Sequence, residues 1–214
     1  MAKIPFGILG PVIGTIGPVV GKTWKGKATL SSQRSPAKTD KNPTPAQLNQ
    51  RNKFGFVSKF MNGLGPLVKQ TFKELAVGKT EFHCAVSYNV CNAVSGAHPD
   101  YILHYPLVSV GRGTLPNAVL PEAKAGDAPG DIRFVWADNT GIGTAAATDR
   151  AMAVIHIPGP GYWIYNATPE ALRSDGSLVH TINGYQGTVH TWLVFVTDGG
   201  KASDSIYTGE VAVG

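Results

Sequence analysis

The sequence predicts an α+β protein: extended Gly/Pro-rich strands and a short helical segment, followed by an antiparallel β-sandwich. Three observations predict it. Glycines at 7, 10, 14, 17 and 21 recur in steps of three and four, with Pro11 and Pro18 set among them. Apolar residues then follow a helical period from Thr44 to about Gly96. From Tyr101 the period falls to two, and turn signals punctuate the remainder. The expected organisation is an extended arm and basic linker over 1–43, helices over 44–97 and a sandwich over 98–214.

The arm contains a seven-residue repeat, Gly7–Ile13 followed by Gly14–Val20, with no charge between Ile4 and Gly21. On a helix its glycines would form one stripe. Pro11 and Pro18 would each break that helix at a cost of about 3 kcal/mol. Short extended pieces, Val12-Ile13 and Val19-Val20, bent at each Gly-Pro, are expected instead. A transmembrane span is not expected, because this backbone would go unsatisfied in lipid. Pro and Gly also interrupt the segment too often for an export signal. Apolar extended segments need a partner. They pack as edge strands on their own domain, add to or thread into a neighbouring copy, or form a membrane-active segment. Ile8, Leu9, Val12, Ile13, Ile16, Val19, Val20 and Trp24 are the candidate assembly contacts.

Residues 22–43 are basic and polar, and a short strand is expected near Trp24–Leu30. The net charge of +5 hides a polarity. Residues 1–81 carry 13 Lys/Arg against 3 acids, net +10, and residues 82–214 carry 6 against 11, net −5. A basic front and an acidic back suit head-to-tail contact between copies. They also suit nucleic acid at the basic end, with Lys22, Lys25, Lys27 and Arg34 as polyanion contacts and Trp24 stacking on a base. The plainer reading packs Trp24 as an anchor and leaves the lysines solvated.

Thr44-Pro45-Ala46-Gln47 is the clearest helix start: an N-cap, a proline at the first helical position and a Gln that completes a capping box. Leu48, Phe54, Val57, Phe60 and Met61 form its apolar stripe, widened by Phe56, and Gly63–Pro66 ends it. A second helix is expected from Pro66 to about Val77, with Leu67, Val68, Phe72 and Leu75 inward and Gly78 as its stop. Thr80 caps a third, Glu81–Val94, closed by Gly96. These stripes need each other or a sheet. Cys84 and Cys91 fall on one face of the third helix, roughly 10 Å apart, too far to bridge. They are expected as buried free thiols.

Expected strands are Tyr101–His104, Leu107–Val110, Asp131–Ala137, Ala151–Ile157, Tyr162–Asn166, Ser177–Ile182, Thr188–Thr197 and Ser205–Val213. Turn signals at Asp138–Gly141, Pro158–Gly161, Asp175-Gly176, Asn183-Gly184 and Asp198–Gly200 separate the later ones. Short strands at this spacing read as a sandwich. Ile132, Phe134 and Trp136 alternate inward, with Trp136 as a core residue.

Motifs for chemistry are sparse. The six histidines, 83, 98, 104, 156, 180 and 190, have no zinc spacing. Gly21-Lys22-Thr23 lacks the upstream glycine of a phosphate loop, and no G-x-S-x-G elbow occurs. Asp127 and Asp131 sit near a turn without further calcium ligands. No enzyme, cofactor or metal is expected.

The stretch Val108–Val213 resembles a fibronectin type III sandwich, through IRFVWADN and the pair TWLVFVTDGGKASDSIYTGEV. That resemblance implies a spacer or binding module. The whole chain is similar to an uncharacterised family of short Bacteroidota proteins. Its members begin like MAK-x-x-x-GILG and carry VVG-x-x-WKG, T-x-AQ-x-x-QR-x-KF and AVSYN-x-x-NAV-x-G. The matching stretches here are Met1–Gly10, Val19–Gly26, Thr44–Phe54 and Ala85–Gly96. This resemblance implies no activity.

The function expected is that of a self-assembling structural subunit, of a filament or a virion, with itself as partner. The alternatives are a module binding surface glycan or protein through Tyr162, Trp163 and Tyr165, and a nucleic-acid binder at the basic end.

Overall fold

The computed structural model describes residues 10–24, 26–33 and 42–214. The chain divides into two units, Met1–Gln47 and Leu48–Gly214.

Among its described residues the first unit holds three short strands, β1 (Gly14–Ile16), β2 (Val19–Trp24) and β3 (Lys27–Ser32), in one antiparallel sheet of order β1-β2-β3. Gly17, at φ +54°, and Gly26, at φ +78°, supply the left-handed turns between them. Gly21 has a different use. A Cβ there would run into the Val12 carbonyl, so the chain crosses its own strand only over a glycine. The expected Val12-Ile13 strand therefore starts two residues later, at Gly14, with only a bridge at Ile13. The expected Trp24–Leu30 strand is a hairpin turn, because Gly26 reverses the chain and pairs Trp24 with Lys27.

The helix α1 (Pro45–Phe60) begins at the expected capping box. Thr44 Oγ1 accepts from the Gln47 amide at 3.3 Å, and Gln47 Oε1 accepts from the Thr44 amide at 3.1 Å. Its stripe is narrower than expected. Val57 and the following Met61 are buried, while Leu48, Phe54 and Phe56 are exposed. Asn49 in α1 accepts from the Tyr101 hydroxyl, through its carbonyl at 2.8 Å and its Oδ1 at 2.7 Å.

The second helix, α2 (Gly65–Thr71), stops well short of Val77 and passes into a 3-10 turn at Lys73–Leu75. Thr71 Oγ1 lies 2.8 Å from the Val110 carbonyl, which ties the helix end to a distant segment. Leu75, expected inward, is exposed. The third helix, α3 (Glu81–Asn92), is capped by Thr80, which accepts from the His83 amide. It ends before Val94 because β4 (Val94–Ala97) turns back to pair with β5 (Asp100–Leu103). Cys84 is half-buried and Cys91 exposed, so neither is the buried thiol expected.

No strand forms over Leu107–Val110. A 3-10 turn at Tyr105–Leu107 precedes it. Side chains satisfy its buried backbone instead: Trp192 Nε1 donates to the Val108 carbonyl, Asn89 pairs with Ser109, and Ser205 Oγ accepts from the Val110 amide.

The remaining strands are β6 (Val119–Ala125), β7 (Asp131–Ala137), β8 (Arg150–Ile157), β9 (Tyr162–Tyr165), β10 (Ser177–Thr181), β11 (Gly187–Val196) and β12 (Ile206–Val213). They form two antiparallel sheets, β10-β7-β6 and β12-β11-β8-β9. Strands β8 and β11 are almost continuously apolar because their sheet is covered on both faces. Ala151, Ala153, Ile155, Leu193 and Phe195 face the three-stranded sheet, where Ile132, Phe134 and Trp136 meet them as expected. Met152, Val154, Trp192 and Val194 face the helices, against Val57, Met61, Leu67, Val68, Phe72, Ala85 and Val86. The partner the helical stripes require is thus the outer face of this sheet.

Candidate functional site

The N-terminal sheet is apolar without being buried. Among its strand residues only Gly21 is buried. Ile13, Ile16, Val19, Trp24 and Leu30 are between 39% and 68% exposed. The register puts Ile16 opposite Val19, Gly21 opposite Leu30, Lys22 opposite Thr29 and Trp24 opposite Lys27. Strand alternation then assigns Val20, Lys22, Trp24 and Lys27 to one face and Ile16, Val19 and Leu30 to the other. The expected assembly residues in these strands are therefore split between two faces, and of the expected polyanion residues Lys22 and Lys27 share a face with Trp24. Leu30 joins the apolar set without having been singled out in the sequence, where it stands alone among Thr29, Ser31 and Ser32. Ile8, Leu9, Lys25 and Arg34 lie outside the described residues.

A second cluster lies where α1 meets the four-stranded sheet. His156 and His190 are direct cross-strand neighbours on β8 and β11, and both are buried. Phe60, Tyr105 and Trp163 surround His156, with ring centroids at 5.0, 5.6 and 4.5 Å. Tyr105 stacks on His190 at 3.5 Å, and the Tyr207 hydroxyl lies 2.8 Å from His190 Nδ1. The His156 Nδ1 atom is buried without a hydrogen-bond partner. Burial, helped by the neighbouring His190, pushes the His156 pKa down to about 4. Burial also lowers His190, against the opposing pull of Glu210. Tyr207 is pushed up to about 12 by burial and then by Glu210 and Tyr105. Burial favours the neutral form of both imidazoles, which sit among the aromatic rings packed on the helical core. Among the described residues no three His, Cys, Asp or Glu stand close enough to hold a metal ion.

The third feature is a buried charge. Arg173 is fully buried, its Nε donating to Asp149 Oδ2 at 2.9 Å. Its other nitrogens donate to Asn139 Oδ1 and the Pro116 carbonyl, and its guanidinium lies 3.8 Å from the Phe195 ring centre. Trp136 Nε1 donates to the Arg173 carbonyl at 2.7 Å. The network pins three connecting segments to the inner core and leaves no nitrogen for a ligand.

Residues 11–209 match the model of a family described as "Family of unknown function (DUF6266)". The chain belongs to this family. No curated protein matches it. Among solved structures, the chain is similar to the crystal structure of chicken CNTN1 FN1-FN3 domains, at 13% identity and a TM-score of 0.35. That match covers 53% of this chain and 37% of the other, well under two thirds of its length. The sandwich assignment rests on the strand order described above.

In this DUF6266 chain the expected surface aromatics divide. Trp163 donates its indole N–H to the Phe60 carbonyl at 2.7 Å, and Tyr165 packs against the helical core. Only Tyr162 stays largely exposed. No helix among the described residues is long and apolar enough to cross a membrane.

Proposed function

We propose that this protein is a self-assembling structural subunit whose N-terminal sheet contacts a second copy. One observation carries the reading: a three-stranded sheet with exposed apolar side chains on both faces and a single buried residue. A sheet of this size needs a covered apolar face for stability, and strand addition is the way such a sheet gains one from a second copy. The charge polarity supports a copy of the same chain as partner, because the basic front of one molecule matches the acidic back of the next. A filament or a virion is the setting proposed.

Electron microscopy of the full chain at low and moderate salt tests this. Filaments, tubes or rings are expected. Ile16→Lys with Val19→Lys, or deletion of residues 2–26, is expected to remove them while the sandwich keeps its thermal transition. A polymer that survives both changes sinks the proposal.

A second reading has one observation in its favour. Trp24 and Lys27 face each other across the β2–β3 ladder, with Lys22 on the same face, an arrangement suited to a polyanion. Duplex binding that weakens steeply with salt, and falls in Lys22→Gln/Lys27→Gln, would favour it.

A further inference from the structure

We propose that the cleft beside the end of α2 binds a small hydroxylated ligand bearing a phosphate or sulfate group. The cleft has a volume of about 640 Å³, within the range of small-molecule sites. Its walls are the end of α2 and the following 3-10 turn, the 167–170 segment, and the turn after β11.

The charges in this lining are not equally available. Arg150 is already committed: its Nε donates to Asp198 Oδ1 at 2.9 Å and an Nη to the Pro169 carbonyl at 3.1 Å. That pair fastens two walls of the cleft and consumes Asp198. Lys69 and Lys73 also line the cleft, and neither forms an ion pair with a described residue. The Lys73 ammonium lies over Gly200, where a Cβ would come within 2.7 Å of it. Two uncommitted ammonium groups in one cleft lining favour an anion as their counter-charge.

Lysine suits a phosphate or sulfate as a point charge. The lining also holds one uncommitted acid, Glu170, with Thr168 and Gln70. A carboxylate opposes a bare anion but accepts hydroxyl hydrogen bonds. The combination therefore favours a sugar-like anion over inorganic phosphate, and it is independent of the assembly reading.

The test is an NMR titration of the full chain with glucose 6-phosphate, glucose 6-sulfate, glucose and inorganic phosphate, at constant ionic strength. Saturable shifts of the amides near Lys69–Lys73 and Thr197–Gly200 are expected with one or both anionic sugars, which also distinguishes the two sources. Uncharged glucose is expected to give none. Lys69→Gln/Lys73→Gln should weaken binding roughly tenfold or more, and Glu170→Gln should narrow the preference over inorganic phosphate. Lys124→Gln, remote and paired with Glu122, should change nothing. Shifts that never saturate, equal binding of glucose, or unchanged affinity in the double lysine variant would overturn the proposal.

Discussion

His190 on β11 stands directly across the ladder from His156 on β8, and both rings lie beneath the helices. The pair makes stability depend on pH in a definite direction. An unfolded histidine titrates near 6.5, and folded His156 near 4. Between those values the unfolded chain binds more protons, so stability is complete above about pH 6.5 and drains as the pH falls towards 4. The expected loss is roughly 3 kcal/mol from His156, with a further loss in the same direction from His190. Urea melts across this range measure it. His156→Phe should remove the unpaired nitrogen and flatten the slope; an unaltered slope would refute this account.

Arg173 makes a different demand. Its removal strands the Asp149 carboxylate, whose side chain is 2% exposed. Arg173→Met should therefore cost about 3–5 kcal/mol, far more than the loss of a surface pair. Asp149→Asn added to Arg173→Met should cost less than the two changes summed, by about 1–3 kcal/mol. Denaturation of the four proteins in that cycle gives the coupling directly. Additive losses would mean the pair contributes only by filling space.

Much of the fold was legible in the sequence, and the reason differs from element to element. Thr44 and Gln47 announced α1 because a capping box is local chemistry, complete within four residues. Ile132, Phe134 and Trp136 announced β7 because one face of that strand is buried and the other is not. Strand β6 hides for the opposite reason: only Ala123 is buried, Pro121 interrupts it, and a bulge with Leu120 at φ +49° breaks the alternation. The polar nodes were invisible. Arg173 meets Asp149 from 24 residues away and Asn139 from 34, and no periodicity encodes such a meeting.

The thiols give a simple check of how α3 is seated. Cys91 is exposed, while Cys84 is half-buried with Sγ 3.4 Å from the Leu75 carbonyl. A thiol reagent should modify the exposed Cys91 faster than the half-buried Cys84. Mild denaturant should bring the two rates together. Mass spectrometry of tryptic peptides after short exposure separates the sites. Equal rates in the native protein would mean that α3 is not held against the 3-10 turn that follows α2.

Asn89 is the sharpest test of how the irregular segment before β6 is held. Its Nδ2 donates to the Ala85 carbonyl at 2.9 Å and the Ser109 carbonyl at 2.8 Å, and its Oδ1 accepts from the Ser109 amide at 2.8 Å. The amide thus replaces the strand neighbour that Ser109 lacks. Asn89→Ala leaves both Ser109 groups buried and unpaired, and should cost about 2–4 kcal/mol. Asn89→Asp keeps the acceptor but turns a negative charge towards two carbonyl oxygens. Burial and those carbonyls would raise the folded pKa of the new acid above its unfolded value. The stability that proton provides is present below the unfolded pKa and is lost as the pH rises through the folded one. Asn89→Asp should therefore recover on acidification relative to Asn89→Ala, because a protonated carboxyl donates one of the missing bonds. Urea midpoints of both variants at pH 7.5 and 5, each referred to the parent chain, decide it. Parallel behaviour of the two would show that Asn89 fills volume without carrying the Ser109 backbone.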